Sequence, residues 1–530
     1  MSKTRIRWVA GLAGLASSLV VALAIAQPAS AQKVLRVVPH ADLKVLDGYQ
    51  TTATITGMHM ISVYDTLFAW DEKLEVKPQM VEGYTVTPDN LKYTFTLRPG
   101  QKWHDGTAVT SKDVVPSLKR LFARETVAKV AAPYIASIDG VDDKTFTITL
   151  KEPFCCLTLM MPGTSTAYGG IFREKEALTD PNTPITETIG SGPFKFNKAE
   201  WVPGAKVVYD KNTDYVSRTE PPSGIAGGKV VRLDRVEYKV IPDAATAFTA
   251  LGAGEVDLLD QPTLDLIPTV EKNPDVVISN ITMLENYGGL RPNVLFPPFN
   301  NPKARQALAL MVNQSEYAQA AYGDKKYWRT CMSMMVCGGP FGFETGGEPY
   351  AKQDIEKARQ LLKESGYNGE KIVVIGAADI PSLNALTLMT VENLKKIGAN
   401  VEPVIADWGS IVTRRSKMDA PDKGGWHIFH TTFGGAGGSH LLTSLPVGTN
   451  CEKAWFGWPC DAAAEEIRSK FAKEPDPAKQ KVLAEAFQKR LWEVIPFVPL
   501  AQYTQPVPHR KNITGIRKSP IQVFWGVDKT

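Results

Sequence analysis

The sequence carries little excess charge of either sign. It holds 60 Lys and Arg against 56 Asp and Glu, and three of the basic residues, Lys3, Arg5 and Arg7, lie at the N-terminus. The rest of the chain is close to neutral and lacks the basic stripe expected of a nucleic-acid-binding protein. We therefore expect no nucleic acid among its partners.

Catalytic motifs and long apolar runs are also missing. The chain has no Gly-x-Ser-x-Gly elbow and no His-Glu-x-x-His motif, which are typical of exported hydrolases and zinc peptidases. Beyond residue 31, no stretch reaches the roughly 18 uninterrupted apolar residues of a membrane-spanning helix. We expect a binding protein without catalytic residues. A secreted hydrolase is the alternative from another class, and a chaperone or adhesin is not separated from a receptor by sequence.

Cysteine is scarce, with six residues in 530, and no metal-binding Cys-x-x-Cys spacing occurs. In an exported chain such cysteines are expected to pair. Four of them bracket short loops and are predicted to form two disulfides, Cys331 with Cys337 and Cys451 with Cys460. Cys155 and Cys156 are adjacent, and because a bridge between neighbours is strained, two buried thiols are predicted there.

Residues 1–31 are predicted to be an export signal. A basic start is followed by an apolar run from Val9 to Ala26, and Ala29-Ser30-Ala31 has the small residues of a cleavage site. We expect cleavage after Ala31 and a periplasmic protein. No Cys follows the site, so a lipid anchor is not expected. The remaining length, about 500 residues, predicts two or three lobes.

The most informative stretch runs from Ile61 to Arg120. Within it, alternate apolar residues from Leu91 to Leu97 predict a strand with one buried face. Arg98-Pro99-Gly100 ends that strand, and Thr110 or Ser111 is predicted to cap a helix that follows.

The segment TPDNLKYTFTLRPGQKWHDGTAVTSKDVV (residues 87–115) closely resembles the signature of the family 5 extracellular solute-binding proteins, the receptors of ABC importers for peptides, nickel and related ligands. IGSGPF (189–194), PDAATAFTALGAGEVDLLDQ (242–261) and DIEKARQLLKESGY (354–367) resemble further elements of that family. The resemblance implies an α/β, two-lobed periplasmic binding protein of type II, in the large form with an extra subdomain. It also implies a small-molecule ligand, ABC permease subunits as partners, a monomer and no cofactor.

The resemblance also implies how the chain is divided. Lobe I is expected to comprise residues 32–60, 195–282 and 498–530. The extra subdomain is expected over 61–194, and lobe II over 283–497. The chain would thus leave the first lobe, build the second and return.

Ligand-binding residues are implied by the same resemblance and cluster in the segments that line the cleft of the family. For Tyr49 and Thr51 the alternative is an ordinary surface loop, and for Trp408 it is core packing. The expected ligand-binding residues are Tyr49, Thr51, Asp260, Gln261, Asn286, Tyr287, Trp408, His430, Thr431, Thr432, Phe433, Gly434 and Gly435.

Two charged groups of the peptide-binding members have no counterpart. The loop 431–439 contains no acidic residue that could hold a peptide ammonium group, and the loop 376–381 contains no Arg for a peptide carboxylate. A peptide with free termini would then bury two charges without evident partners, at a cost of several kcal/mol. The ligand is therefore predicted as a peptide or another small organic solute. Asp379 is interpreted as a turn residue before Pro381.

Three of the seven His residues, His427, His430 and His440, lie in one stretch. Imidazole suits nickel and haem, so a nickel-chelate or haem receptor is the alternative within the family. A strand would, however, place His427 and His430 on opposite faces. No metal ligands are therefore assigned.

Overall fold

Two large β-sheets organise the part of the chain that the computed structural model describes, residues 32–162 and 169–530. The predicted export signal lies outside these residues. The strands, in chain order, are β1 (Val34–Val38), β2 (Phe68–Trp70), β3 (Val76–Pro78), β4 (Val81–Val86), β5 (Lys92–Leu97), β6 (Ile135–Gly140), β7 (Thr145–Leu150), β8 (Phe194–Phe196), β9 (Lys206–Lys211), β10 (Arg235–Lys239), β11 (Leu258–Leu259), β12 (Val276–Asn280), β13 (Asn286–Pro292), β14 (Trp328–Arg329), β15 (Lys371–Ala377), β16 (Asn400–Ala406), β17 (Ile428–Phe433), β18 (Val498–Tyr503), β19 (Pro506–Arg510), β20 (Ile513–Thr514) and β21 (Asp528–Lys529).

The α-helices alternate with these strands, as expected of a mixed α/β protein. None of the helices in the described residues is both long and apolar enough to cross a membrane. They are α1 (Thr54–Val63), α2 (Ser111–Arg124), α3 (Glu174–Ala177), α4 (Ala244–Ala253), α5 (Ile267–Glu271), α6 (Pro302–Leu310), α7 (Gln314–Tyr322), α8 (Ile355–Glu364), α9 (Pro381–Lys396), α10 (Trp408–Arg415), α11 (Gly435–Gly438), α12 (Ala462–Lys473) and α13 (Pro477–Val494).

The first sheet has seven strands in the order β12-β19-β11-β1-β10-β9-β8, and the second has six in the order β14-β18-β13-β17-β15-β16. Strand β1 is parallel to β10 and β11, and β15 is parallel to β16 and β17. A separate antiparallel sheet, β4-β5-β7-β6, is built within the predicted extra subdomain. The predicted lobes therefore each contain a sheet of their own.

The chain passes between the two large sheets twice. It crosses once between β12 and β13, and it returns between β18 and β19. The two crossings touch, because the backbone N–H of Gln505 donates to the Thr282 hydroxyl at 3.0 Å. Strand β18 pairs with β13 in the second sheet, so the chain returns to the first sheet only from Pro506. The predicted boundary at residue 498 therefore lies at the start of β18, before the crossing itself.

Local sequence explains several of these elements. In β5, Tyr93, Phe95 and Leu97 are buried whereas the residues between them are not, as the alternation predicts. Helix α2 begins at the predicted cap: the Thr110 backbone N–H donates to the Asp113 carboxylate at 2.9 Å, in a capping box. By contrast, α1 begins at Thr54 without a side-chain cap. Nearly all of its residues are buried, so the sequence has no polar face that would indicate an amphipathic helix there.

A buried ion pair lies where the segment before β2, the segment before β10 and the C-terminal region meet. Lys229 Nζ lies 2.7 Å from Asp65 Oδ1, and both side chains are about 1% exposed. Asp65 also accepts a hydrogen bond from Tyr215 and lies 3.6 Å from Arg98. Burial alone would raise the pKa of Asp65, but Lys229 and Arg98 outweigh it and lower that pKa. The ionised carboxylate is therefore the form that the fold stabilises.

Both predicted disulfides are confirmed, Cys331–Cys337 and Cys451–Cys460. Cys155 and Cys156 are free thiols, as predicted. Only Cys156 is buried, however, and Cys155 is exposed. The prediction of two buried thiols is therefore corrected for Cys155, because its residue lies on the surface beside α12 and α13.

We expect the double substitution Cys451→Ser and Cys460→Ser to lower the free energy of unfolding by about 2–3 kcal/mol, since the disulfide restrains a short loop in the unfolded chain. The loop also carries Trp455 and Phe456, whose carbonyl groups accept hydrogen bonds from the buried Arg291. Urea denaturation without reductant measures the loss. An unchanged midpoint would show that the disulfide contributes nothing to stability.

Candidate functional site

A cavity of about 380 Å³ lies between the two large sheets. From the first sheet it is lined by Val38 and Leu259, the last residues of β1 and β11, and by the start of α4. From the second sheet it is lined by the residues that follow β15, by α10 and by the end of β17. Ligands of open α/β sheets bind outside the carboxyl ends of the strands, and the volume suits a small molecule.

Arg415, the last residue of α10, lines this cavity and is only 2% exposed. Its guanidinium is enclosed by aromatic rings. The Cζ atom lies 4.9 Å from the ring centre of Trp408 and 5.5 Å from that of Trp455. Phe429 and Phe456 lie at similar distances. These rings hold the cation by cation–π attraction and supply no hydrogen-bond acceptor.

The Arg415 guanidinium has no anionic partner within the described part of the chain. Its one hydrogen bond joins Nη2 to the Thr52 hydroxyl at 3.4 Å, and Nε has no acceptor. Burial lowers the pKa of Arg415 to about 9, so the group is still charged at neutral pH. A buried cation without an anion is unfavourable. A carboxylate in the cavity would compensate it through charge-assisted hydrogen bonds.

The buried acidic group of the cavity is Asp260, which follows β11 and is 4% exposed. Its Oδ2 lies 2.5 Å from Nδ1 of His40, another lining residue. Two further acidic residues, Asp243 and Asp379, line the cavity but are exposed. Asp243 caps α4, and Asp379 accepts a hydrogen bond from the Trp408 backbone N–H at the start of α10, at 2.7 Å.

Nine of the thirteen residues predicted to bind ligand lie around this space. A smaller cavity of about 60 Å³ adjoins the main one and shares several of its residues. The main cavity is lined by Asp260, Gln261, Trp408, Thr431, Thr432 and Phe433. The smaller one adds Asn286, Gly434 and Gly435.

The other four predicted residues line neither cavity. Tyr49 is buried, and its hydroxyl donates to the Gly170 carbonyl at 2.9 Å. The Thr51 hydroxyl accepts from the Ala53 backbone, and its neighbour Thr52 lines the cavity instead. Tyr287 stacks on the far side of Phe433, with ring centres 5.1 Å apart. His430 points at α9 rather than at the cavity. The structure therefore places these four residues outside both cavities, and their role in ligand binding stays a prediction.

Two of the three clustered histidines, His427 and His430, are structural. The ring of His430 bonds the hydroxyls of Thr387 and Thr390, at 3.2 and 2.8 Å. His427 lies on the opposite strand face, as predicted, and accepts from the Val373 backbone at 2.9 Å. Burial lowers the pKa of His430 to about 3 and that of His427 to about 4. Both rings are therefore neutral packing groups.

The glycine-rich loop after β17 is shaped by close packing. A side chain at Gly435 would meet the Leu284 carbonyl oxygen at 2.2 Å, and one at Gly438 would meet the Tyr287 ring at 2.5 Å. The loop therefore presents backbone to the smaller cavity. Among the described residues, the one group of potential metal ligands is Cys331, Cys337 and Glu344. Its two sulfur atoms are already bonded to each other.

Sequence reasoning missed Arg415, His40 and Thr52. A signal for Arg415 was present, because it stands seven residues after Trp408, which places both on one face of a helix. The helix itself was not predicted there, and Arg was sought only in the loop 376–381. For His40 and Thr52 no local pattern exists, since the folded segment before α1 alone brings them to the cavity.

Comparison with known proteins agrees with this geometry. The profile of the bacterial extracellular solute-binding proteins, family 5 (middle region), matches residues 75–439. The chain belongs to this family. It is therefore a solute-binding protein, and the family serves ABC importers.

Similar proteins include a probable peptide ABC transporter periplasmic-binding protein, y4tO, of Sinorhizobium fredii. It is 39% identical over 538 residues, which cover 98% of each chain. The glutathione-binding protein GsiB of Salmonella typhimurium is 26% identical and covers 96% of this family 5 chain and 95% of its own. Among solved structures, the periplasmic binding protein DppA of Helicobacter pylori in complex with the peptide STSA has a TM-score of 0.78 at 24% identity, with 94% and 98% coverage. The predicted two-lobed type II fold is confirmed.

Proposed function

We propose that this family 5 protein captures a small zwitterionic solute, a short peptide before other candidates, and delivers it intact to the permease of an ABC importer. The observation that carries the proposal is Arg415, a buried cation in the cavity wall with no anion beside it among the described residues. It matches the carboxylate of a ligand.

Asp260 is the complementary group for the ligand ammonium. It is buried in the same cavity wall, and its Oδ1 accepts no hydrogen bond within the described residues, whereas Oδ2 is held by His40. In this proposal, Arg415 and Asp260 replace the two charged groups that hold a peptide in the peptide-binding members. Those groups are missing from the loops 376–381 and 431–439 of this chain. The aromatic rings around Arg415 and along the wall favour apolar ligand parts.

A peptide ligand is supported by the name of the 39% identical relative, a probable peptide-binding protein. Other relatives and neighbours bind glutathione, agropinic acid or mannopinic acid according to their names. All of these fit the requirement of a carboxylate. For the metal-chelate alternative, His427 and His430 offer no support because both are turned into the protein.

Capture is expected to work by closure. The cavity is lined from both sheets, and only two chain crossings join them, so a ligand that touches both walls stabilises the closed form. The protein is proposed to act as an exported, periplasmic monomer, with the permease subunits as its partners.

The proposal is tested with three forms of one dipeptide: free termini, a C-terminal amide and an N-acetyl group. Isothermal titration is expected to show binding of the free dipeptide and a loss of at least about 30-fold for either blocked form, since each blocked form leaves a buried charge unpaired. Asp260→Asn should abolish the preference for a free ammonium, whereas the exposed Asp243→Asn should keep it. Equal affinity for the free dipeptide and its amide would contradict the proposed role of Arg415.

A further inference from the structure

Cys155 and Cys156 form a group of reactive side chains away from the ligand cavity. Their Sγ atoms lie 2.6 Å apart, in the segment that follows β7. Nε2 of His440 lies 4.0 Å from the Cys156 sulfur, and the Gln480 amide donates to the Cys155 sulfur at 3.5 Å. The other four cysteines are held in disulfides. This pair alone, among the six, is open to thiol chemistry.

A bridge between adjacent residues is labile by geometry. Their Cα atoms are about 3.8 Å apart across a trans peptide, which is below the usual Cα separation of about 4.4–6.8 Å in disulfides. Such strain makes a disulfide easier to reduce, and strained or exposed bridges are the reversible ones. A vicinal pair can therefore change state where the buried Cys331–Cys337 disulfide, with Cα atoms 6.1 Å apart, stays oxidised.

The two thiols are not equivalent. Cys155 is exposed and Cys156 is buried. The hydrogen bond from Cys156 lowers the pKa of Cys155, whereas the same interaction and burial raise the pKa of Cys156. The attacking thiolate is thus the accessible one. The sulfur of the buried Cys156 is shielded from large reagents and lies beside the Cys155 sulfur.

His440 is placed to assist the inner sulfur and not to bind a metal. Its Nδ1 accepts a hydrogen bond from the Leu442 backbone at 3.2 Å, which puts the ring proton on Nε2, the atom nearest the Cys156 sulfur. Burial lowers the pKa of His440 to about 3, so the ring is neutral. A protonated Nε2 offers no lone pair to a metal ion.

We propose that Cys155 and Cys156 form a reversible redox site that exchanges with a disulfide of the surrounding compartment. The Cys155 thiolate attacks one sulfur of the partner disulfide and displaces its first thiolate. Cys156 then attacks the Cys155 sulfur, and its proton passes to the second partner sulfur, which leaves as a thiol. The protein dithiol is oxidised to a vicinal disulfide, and one partner disulfide is reduced to two thiols.

The site lies at a contact between the predicted extra subdomain and two helices of lobe II. The Cys155 backbone N–H donates to the Ala472 carbonyl at the end of α12, at 2.9 Å. Lys473 also pairs with Glu152 at 2.8 Å. Oxidation restricts the backbone of Cys155 within this contact. We therefore expect the redox state to alter amide hydrogen exchange of residues 154–157.

The test is a redox titration of the whole purified protein in glutathione buffers. After alkylation and trypsin digestion, the peptide 152–173 from reducing buffer is expected to carry two alkyl groups. From oxidising buffer it should carry none and be lighter than the reduced, unalkylated peptide by two hydrogen atoms. Cys331–Cys337, whose two cysteines are buried, should stay oxidised throughout. Cys156→Ser should trap a glutathione adduct on Cys155, and Cys155→Ser should form at least tenfold less adduct.

Three results would overturn the proposal. Both thiols could still be alkylated after equilibration with excess oxidised glutathione. The Cys155–Cys156 bridge could resist reduction until the buried Cys331–Cys337 disulfide is also reduced. A stable glutathione adduct on the wild-type Cys155 would show that Cys156 does not resolve it. The measurements on the wild-type chain stand even if a variant fails to fold. None depends on the identity of the transported solute.

Discussion

Replacing Arg415 with Met is expected to weaken binding of a carboxylate ligand by about 2–5 kcal/mol, the range measured when one partner of a buried, hydrogen-bonded charge pair is removed. At about 1.4 kcal/mol per factor of ten, this is at least about 30-fold in Kd. The same substitution should not destabilise the unliganded protein, because it removes a buried charge that has no anionic partner in the described residues. Met also conserves much of the apolar contact with Trp408 and Trp455.

A loss of ligand affinity without a loss of stability separates an effect on binding from an effect on folding. Isothermal titration measures the affinity, and thermal denaturation without ligand measures the stability. Arg414→Met is the matched control, since the neighbouring guanidinium bonds the Gly425 carbonyl and does not line the cavity. Unchanged affinity in Arg415→Met, or an equal loss in both variants, would show that Arg415 does not hold the ligand.

Asp65→Asn is expected to lower the free energy of unfolding by about 3–5 kcal/mol, because it leaves the Lys229 ammonium buried without an anion. The second effect is on pH dependence. The pKa of Asp65 is lowered in the folded protein, so its contribution is present above the unfolded pKa and is lost as pH falls through the folded pKa. Urea denaturation at neutral and acidic pH measures both.

Two controls make this prediction specific. Glu75→Gln removes the carboxylate of an exposed pair with Lys77 and should cost less than about 1 kcal/mol. The double substitution Asp65→Leu with Lys229→Met should recover most of the loss, since neither charge remains buried alone. A loss in Asp65→Asn no larger than that in Glu75→Gln would contradict the role given to the buried pair.

Much of the fold could be predicted because local patterns and tertiary packing agree. The alternation around Phe95 and the capping box at Thr110 both specify their elements within a few residues. Packing overrides the pattern elsewhere. Residues 230–241 alternate for most of their length, but only Arg235–Lys239 pairs with β9 and β1. Helix α1 was missed because burial on all sides removed the amphipathic signal.

The cavity residues near strand ends could be expected from the family resemblance, whereas those that depend on long-range packing could not. Thr432 and Asp260 were expected in this way, and they lie at the end of β17 and directly after β11. His430 lies two residues earlier, on the same face of β17 as Thr432 but further from the strand end, where its ring packs on α9. Arg415 meets Thr52 across 363 positions of sequence, a separation that no local motif encodes.

The place of β19 in the first sheet affects the order in which the two large sheets can form. Residues 506–510 form the strand between β12 and β11, and β12 has no other neighbour in that sheet. The second sheet needs only the uninterrupted stretch 286–503. The second sheet can therefore form from one continuous segment, whereas the first sheet is incomplete until β19, from beyond that segment, has docked.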